Sequence, residues 1–148
     1  MKAIRKVLAA VLTVAIFTVF PACSARSAVS ADEFQKQAKS AGFTVAAPTS
    51  DSSGAEKSLT AAKDGTDVTV DYHKFSDTST AAGWYSERKS TLTGSGKNVV
   101  DSDAYSKYTV TNGEIYYALV RMDNTVVFCQ TTISKQSAAD SLLKALHY

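Results

Sequence analysis

The sequence predicts an α+β domain: an antiparallel sheet with helices packed on one face, carried behind an N-terminal export segment. Three observations predict it. The stretch from Ile115 to Thr132 holds two β-branched and aromatic runs on either side of Asp123-Asn124, the pattern of an antiparallel hairpin. Both runs are apolar on both faces for part of their length, so they belong in the middle of a sheet. In Val68 to His73 the alternation is clean: Val68, Val70 and Tyr72 point one way, and Thr69, Asp71 and His73 the other. That is a strand with one dry face and one wet face. Finally, the segment from Lys63 to Ala82 parallels the one from Arg121 to Ala139. Each runs from a turn through a strand into a Ser-initiated helix, which suggests two strand–strand–helix units.

At 148 residues the chain has room for one domain. Lys2, Arg5 and Lys6 form a positive region, and Val7 to Phe20 is an unbroken stretch of apolar residues and Thr. It is shorter than the ~20 residues that span a bilayer comfortably and fits an export segment. Removing the three N-terminal cations from the 16 basic residues leaves thirteen against 14 acidic ones, a net of −1. No basic field remains in the mature sequence to suggest nucleic acid.

After residue 23, a tether of small and polar residues over 24–29 leads to the domain proper at 30–148. Ser30-Ala31-Asp32-Glu33 has capping-box spacing and starts the first helix. Phe34, Ala38 and Ala41 form its thin apolar stripe, and Gly42 stops it. Phe43 to Ala47 is a short strand, and Pro48 to Gly54 a polar loop. Lys57 to Lys63 and Thr66 to Phe75 pair around Asp64-Gly65. Ser76-Asp77 caps a second helix running to about Lys89, with Ala81, Trp84, Tyr85 and Leu92 on its buried side. Gly83 within it costs roughly 1 kcal/mol relative to Ala, which predicts a close packing contact there. Thr93 to Gly96 reads as a loop, Lys97 to Val100 as a short strand, and Tyr105 to Thr111 as a strand turning at Asn112-Gly113. Ser134 caps the last helix, whose core stripe is Ala139, Leu142, Leu143 and Leu146.

The N-terminus carries one further signal. Phe20-Pro21-Ala22-Cys23 resembles the lipobox of bacterial lipoproteins, with Phe20 and Pro21 standing where a leucine and a small residue are usual. With the domain size and layout, it makes the chain similar to the small exported lipoproteins of Gram-positive bacteria, often of unknown function. The resemblance implies lipid attachment at Cys23 and anchoring to the outer face of the cell membrane. It implies no catalytic residues. The alternative is signal-peptidase cleavage after Ser24, Ser27 or Ser30, which gives a secreted protein. A soluble product that keeps Cys23 leaves a Cys23–Cys129 disulfide open; otherwise Cys129 is a lone core thiol.

Chemistry is sparse. His73 and Asp71 share the wet strand face, a pattern that suits a metal pair or an oriented base, but two ligands are too few for a typical zinc site. His147 is penultimate and belongs to a chain end. Gly94-Ser95-Gly96-Lys97 lacks the first glycine and the hydroxyl residue of a phosphate loop. No nucleophile elbow, metal motif or cofactor motif stands out, so no cofactor or metal is expected. Tyrosines in and beside the strands favour recognition surfaces. The candidate binding surface is Thr69, Asp71 and His73 with Tyr117 and Arg121, for a peptide, glycan or protein ligand at the cell envelope. A secreted inhibitor or effector, and a small hydrolase or metal-dependent enzyme centred on Asp71 and His73, are the alternatives.

Overall fold

A computed structural model describes residues 26–148; the export segment and Cys23 lie outside the described residues. In order the elements are α1 (Ala31–Ser40), β1 (Thr44–Ala46), β2 (Lys57–Lys63), β3 (Val68–Lys74), α2 (Thr78–Thr91), β4 (Ser95–Asp101), β5 (Tyr105–Asn112), β6 (Ile115–Met122), β7 (Thr125–Thr132), a 3₁₀ turn (Ile133–Lys135) and α3 (Gln136–Ala145). The seven strands form one sheet in the order β1-β2-β3-β7-β6-β5-β4. Every neighbouring pair is antiparallel. The β6–β7 hairpin lies at the middle, with β7 as the central strand, as its two-faced apolarity predicts.

The α+β class holds, but the helices do not share one face. Helices α1 and α3 cover the face presented by Val68, Val70, Tyr72, Val120, Val127 and Cys129. Helix α2 covers the opposite face, over Leu119, Val126 and Phe128, through Ala81 and Tyr85. The reason lies in the same two-faced apolarity. Strands β6 and β7 leave hydrophobic surface on both sides, and each side needs a cover. The two strand–strand–helix units are present as a chain order, but they are not geometric repeats. Val68 and Val126 correspond in sequence, yet Val68 belongs to the α1/α3 core and Val126 to the α2 core. Phe34, Tyr72, Phe75, Leu119 and Met122 are among the largest fully buried side chains, each stabilising the fold by roughly 1.5–3 kcal/mol.

Local chemistry explains most element ends. The Ser30 hydroxyl accepts from the Glu33 amide at 3.2 Å, while the Glu33 carboxylate turns to Gln37 at 2.6 Å, so only half the capping box forms. Asp77 caps α2, accepting from the Thr80 amide at 2.8 Å. Asp64 and Gly65, both at positive φ, turn β2 into β3. Three expectations need correcting. Ser134 is not the cap of α3: it falls inside the 3₁₀ turn, and its hydroxyl meets that of Thr132 at 3.0 Å. A Cβ built on Gly83 would meet nothing within 4 Å, so no close contact requires this glycine. The segment Thr93 to Gly96 is not all loop, because β4 begins at Ser95. Glycine is needed at its end: a Cβ on Gly94 would lie 2.3 Å from the Thr111 carbonyl oxygen, and the Tyr108 ring lies over Gly96.

Candidate functional site

The wet face of β3 is the α2 face, and it is less open than the alternation predicts. The loop before β2 and the side of α2 wall off a cavity of about 470 Å³ above it. His73 and Asp71 line that cavity with Asp51, Thr60, Trp84 and Arg88. His73 pairs with Ser58 across β2 and β3, and its Nδ1 lies 2.8 Å from the Ser58 hydroxyl. Trp84 approaches the imidazole at 4.8 Å between ring centres. Burial lowers the imidazole's affinity for a proton, opposed by the carboxylates of Asp71 and Asp51. Asp51 is held down to about 2, first by the hydroxyl of Ser53. The Asp71 carboxylate accepts from Thr60 at 2.6 Å. Among the described residues no group of three or more His, Cys, Asp or Glu is placed to hold a metal ion.

The remaining candidates on this face disperse. Thr69 and Tyr117 both pair with Gln130 of β7, so the three form a row across the sheet. Tyr117 stacks on Phe128 at 6.0 Å, and Thr69 donates to the Gln130 carbonyl at 3.4 Å. Arg121 is not part of an open surface: it is 5 % exposed. Its guanidinium donates to the carbonyls of Ser102 at 2.8 Å and Asp103 at 2.9 Å, and to the Ser106 hydroxyl at 3.3 Å. It latches the β4–β5 turn. Trp84, expected in the core, is half-buried and stands in the cavity wall. Cys129 is wholly buried, and burial pushes its thiol well above the usual range.

The larger concavity is on the other face. Helix α3 packs over β3 and β7, and the β5–β4 ribbon beyond it carries no helix. This leaves a groove of about 1110 Å³, just above the ~300–1,000 Å³ usual for ligand pockets. Lys107, Thr109 and Thr111 of β5 and Lys97 of β4 line it, and α3 contributes Gln136, Asp140 and Lys144. The segment before α1 and the C-terminus close it through Arg26, Val29, His147 and Tyr148. Register assembles the charges. Lys97 pairs with Thr109, and Lys107 lies two residues from Thr109 on the same face of β5. Arg26 sits over the Tyr105 ring at 4.5 Å, which fixes the tether to the groove's rim.

The groove is electropositive. Four basic side chains line it, Arg26, Lys97, Lys107 and Lys144, against one carboxylate, Asp140. None of the four makes a salt bridge among the described residues. Asp140 offsets only one of the four, and its oxygens accept from the Tyr116 hydroxyl at 3.3 Å and the Gln136 amide at 3.0 Å rather than from a cation. Reading the sequence missed this site. Its cations are scattered from Arg26 to Lys144, and the near-zero net charge of the described residues hides a local excess.

No protein-family model matches the chain, and no curated protein matches it. Among solved structures it is similar to a GTP-binding regulator from Thermotoga maritima, with a TM-score of 0.60 and 10% identity, covering 80% of this chain and 87% of that one. At that identity the likeness is one of fold alone.

Proposed function

We propose that the chain is an exported binding module, held at the outer face of the cell membrane through Cys23, that takes an anionic ligand in the groove between α3 and the β4–β5 ribbon. One observation carries the ligand class: four basic side chains, none in a salt bridge among the described residues, line a concavity with a single carboxylate. Unpaired cations gathered in a cleft attract carboxylate or phosphate groups and speed their encounter. Threonine hydroxyls of β5 and the Gln136 amide add neutral hydrogen-bonding partners along the floor and wall. The row Thr69–Gln130–Tyr117 is a weaker candidate, since it is flat and uncharged.

The test is an NMR titration of the mature protein with glycerol phosphate and, separately, with hexaglutamate. Shifts should gather on Lys107, Thr109, Thr111 and the α3 wall, shrink as salt is raised, and be lost in Lys97→Gln/Lys107→Gln. Shifts confined to Thr69, Gln130 and Tyr117, or no shifts with either probe, would reject the groove. A second reading, a small hydrolase centred on Asp71 and His73, is favoured by the cavity in which His73 meets Ser58. It requires that His73→Gln abolish turnover of an activated ester with a bell-shaped or sigmoidal pH profile; identical rates for the two proteins reject it. Intact mass of the mature protein decides between anchored and secreted forms: acyl mass on Cys23 supports the first, and an N-terminus beyond Ser24 the second.

A further inference from the structure

We infer that the groove lies against the membrane and that its occupant is the phosphate headgroup of an anionic phospholipid in the bilayer holding the anchor. This rests on the anchoring reading above and goes beyond it, to the orientation of the domain and the identity of the ligand.

Two independent observations carry it. The first is chain length. Arg26 lines the groove, and Cys23 is three residues before it. Three residues span at most about 11 Å, of the same order as the Debye length of about 8 Å at physiological salt. An acyl chain on Cys23 therefore brings the groove's rim to the bilayer surface, however the intervening residues run. Arg26 over Tyr105 and the Val29 carbonyl accepting from Tyr72 at 2.8 Å tie the start of the domain to this face. A tether this short keeps Arg26, and with it the rim of this groove, close to the bilayer.

The second is charge. The face so presented carries Arg26, Lys97, Lys107 and Lys144. A single acyl chain gives only marginal membrane binding, and a basic patch is a standard second signal. Each Lys or Arg held near an anionic surface contributes about a fivefold gain in partitioning. The α2 face carries no such excess around its cavity, where Asp51, Asp71 and Glu87 stand beside Arg88. Flat adsorption of a patch would leave the groove unused. Here the lysines stand in a concavity with Thr109 and Thr111 between them, a shape that receives a protruding headgroup.

The experiment uses the lipidated protein purified from the host membrane, with its acyl mass verified, in vesicles of phosphatidylcholine with or without phosphatidylglycerol. Lysine acetylation by an amine-reactive reagent is followed by mass spectrometry. With phosphatidylglycerol, Lys97, Lys107 and Lys144 should react at least fivefold more slowly than without it. Lys89, on α2 and so on the opposite face, should be unchanged and serves as the internal control. High salt should restore reactivity. Full-length protein carrying Cys23→Ser, processed and unacylated, should float with phosphatidylglycerol vesicles, and Lys97→Gln/Lys107→Gln should weaken that about 25-fold with an unchanged melting temperature. Equal reactivity of the groove lysines in both lipids, with acyl mass present, overturns the inference and leaves the anchor standing. Equal protection by free glycerol phosphate over phosphatidylcholine alone moves the ligand off the membrane and also overturns it. Absence of acyl mass removes the anchor, and the orientation argument falls with it.

Discussion

Arg121→Met separates a structural latch from a ligand contact. The guanidinium donates to two carbonyls, of Ser102 and Asp103, and to the Ser106 hydroxyl. Hydrogen bonds to charged groups are worth roughly 1.5–3 kcal/mol each. The full sum is not lost on substitution. Ser102 and Asp103 are exposed, so water replaces the guanidinium at their carbonyls, and the Ser106 hydroxyl keeps Asp101 and the Ser102 carbonyl as acceptors. Burying the charge also cost desolvation that methionine avoids, and methionine keeps most of the packing of the aliphatic stem. The net expectation is a loss of about 2 kcal/mol. With a urea slope of about 1–3 kcal/mol/M, the unfolding midpoint should fall by about 1 M at unchanged slope. Amide exchange should accelerate first in β4 and β5, because the latch holds their turn to β6. A surface arginine reserved for a partner would cost under about 0.5 kcal/mol. A midpoint unchanged within error would therefore refute the latch and return Arg121 to the binding surface.

Other perturbations test the fold and the second cavity. Gly83→Ala should stabilise α2 by about 1 kcal/mol and raise the melting temperature by about 3–5 °C, since its Cβ meets no neighbour; a lower melting temperature would reveal a contact that the open space denies. The Tyr85 hydroxyl is buried without a partner, and burial pushes its pKa up to about 12. Tyr85→Phe should leave stability unchanged or raise it by about 1 kcal/mol; a loss larger than that in thermal melts would mean the hydroxyl is satisfied. His73 has its folded pKa lowered from 6.5 by burial, so its neutral form is the one the fold favours. That stability is complete above the unfolded-state pKa and is lost as pH falls through it toward the folded value. Between pH 7 and 5 the wild type should therefore lose more stability in urea titrations than His73→Gln, and parallel curves would contradict the burial of His73.

Some of this protein is determined by local chemistry and is legible in the chain. Asp64-Gly65 and Asp123-Asn124 turn hairpins because their residues tolerate positive φ or favour tight turns, while the turn expected at Asn112-Gly113 falls one residue on, at Gly113-Glu114, with Asn112 still paired to Ile115. Ser30 and Asp77 cap helices because their side-chain oxygens reach amides three residues on. The alternation in β3 and the stripe of α3 follow from periods of two and 3.6 residues. The central place of β6 and β7 follows from apolarity on both faces. That same apolarity already implied a cover on each side, and the single-face expectation overlooked it.

What only the tertiary structure decided is whatever depends on distant segments meeting. Arg121 looks like an exposed partner of Tyr117 by strand alternation, but the β4–β5 turn folds back onto its guanidinium. His73 looks solvated until the β1–β2 loop and Trp84 of α2 close over it. The groove is the extreme case. Lys97 and Lys107 meet through strand register, Lys144 arrives on α3, and Arg26 arrives on the tether. No window along the sequence contains that charge. It exists because an antiparallel sheet sums side chains across strands, and because, among the described residues, three helices cover seven strands incompletely.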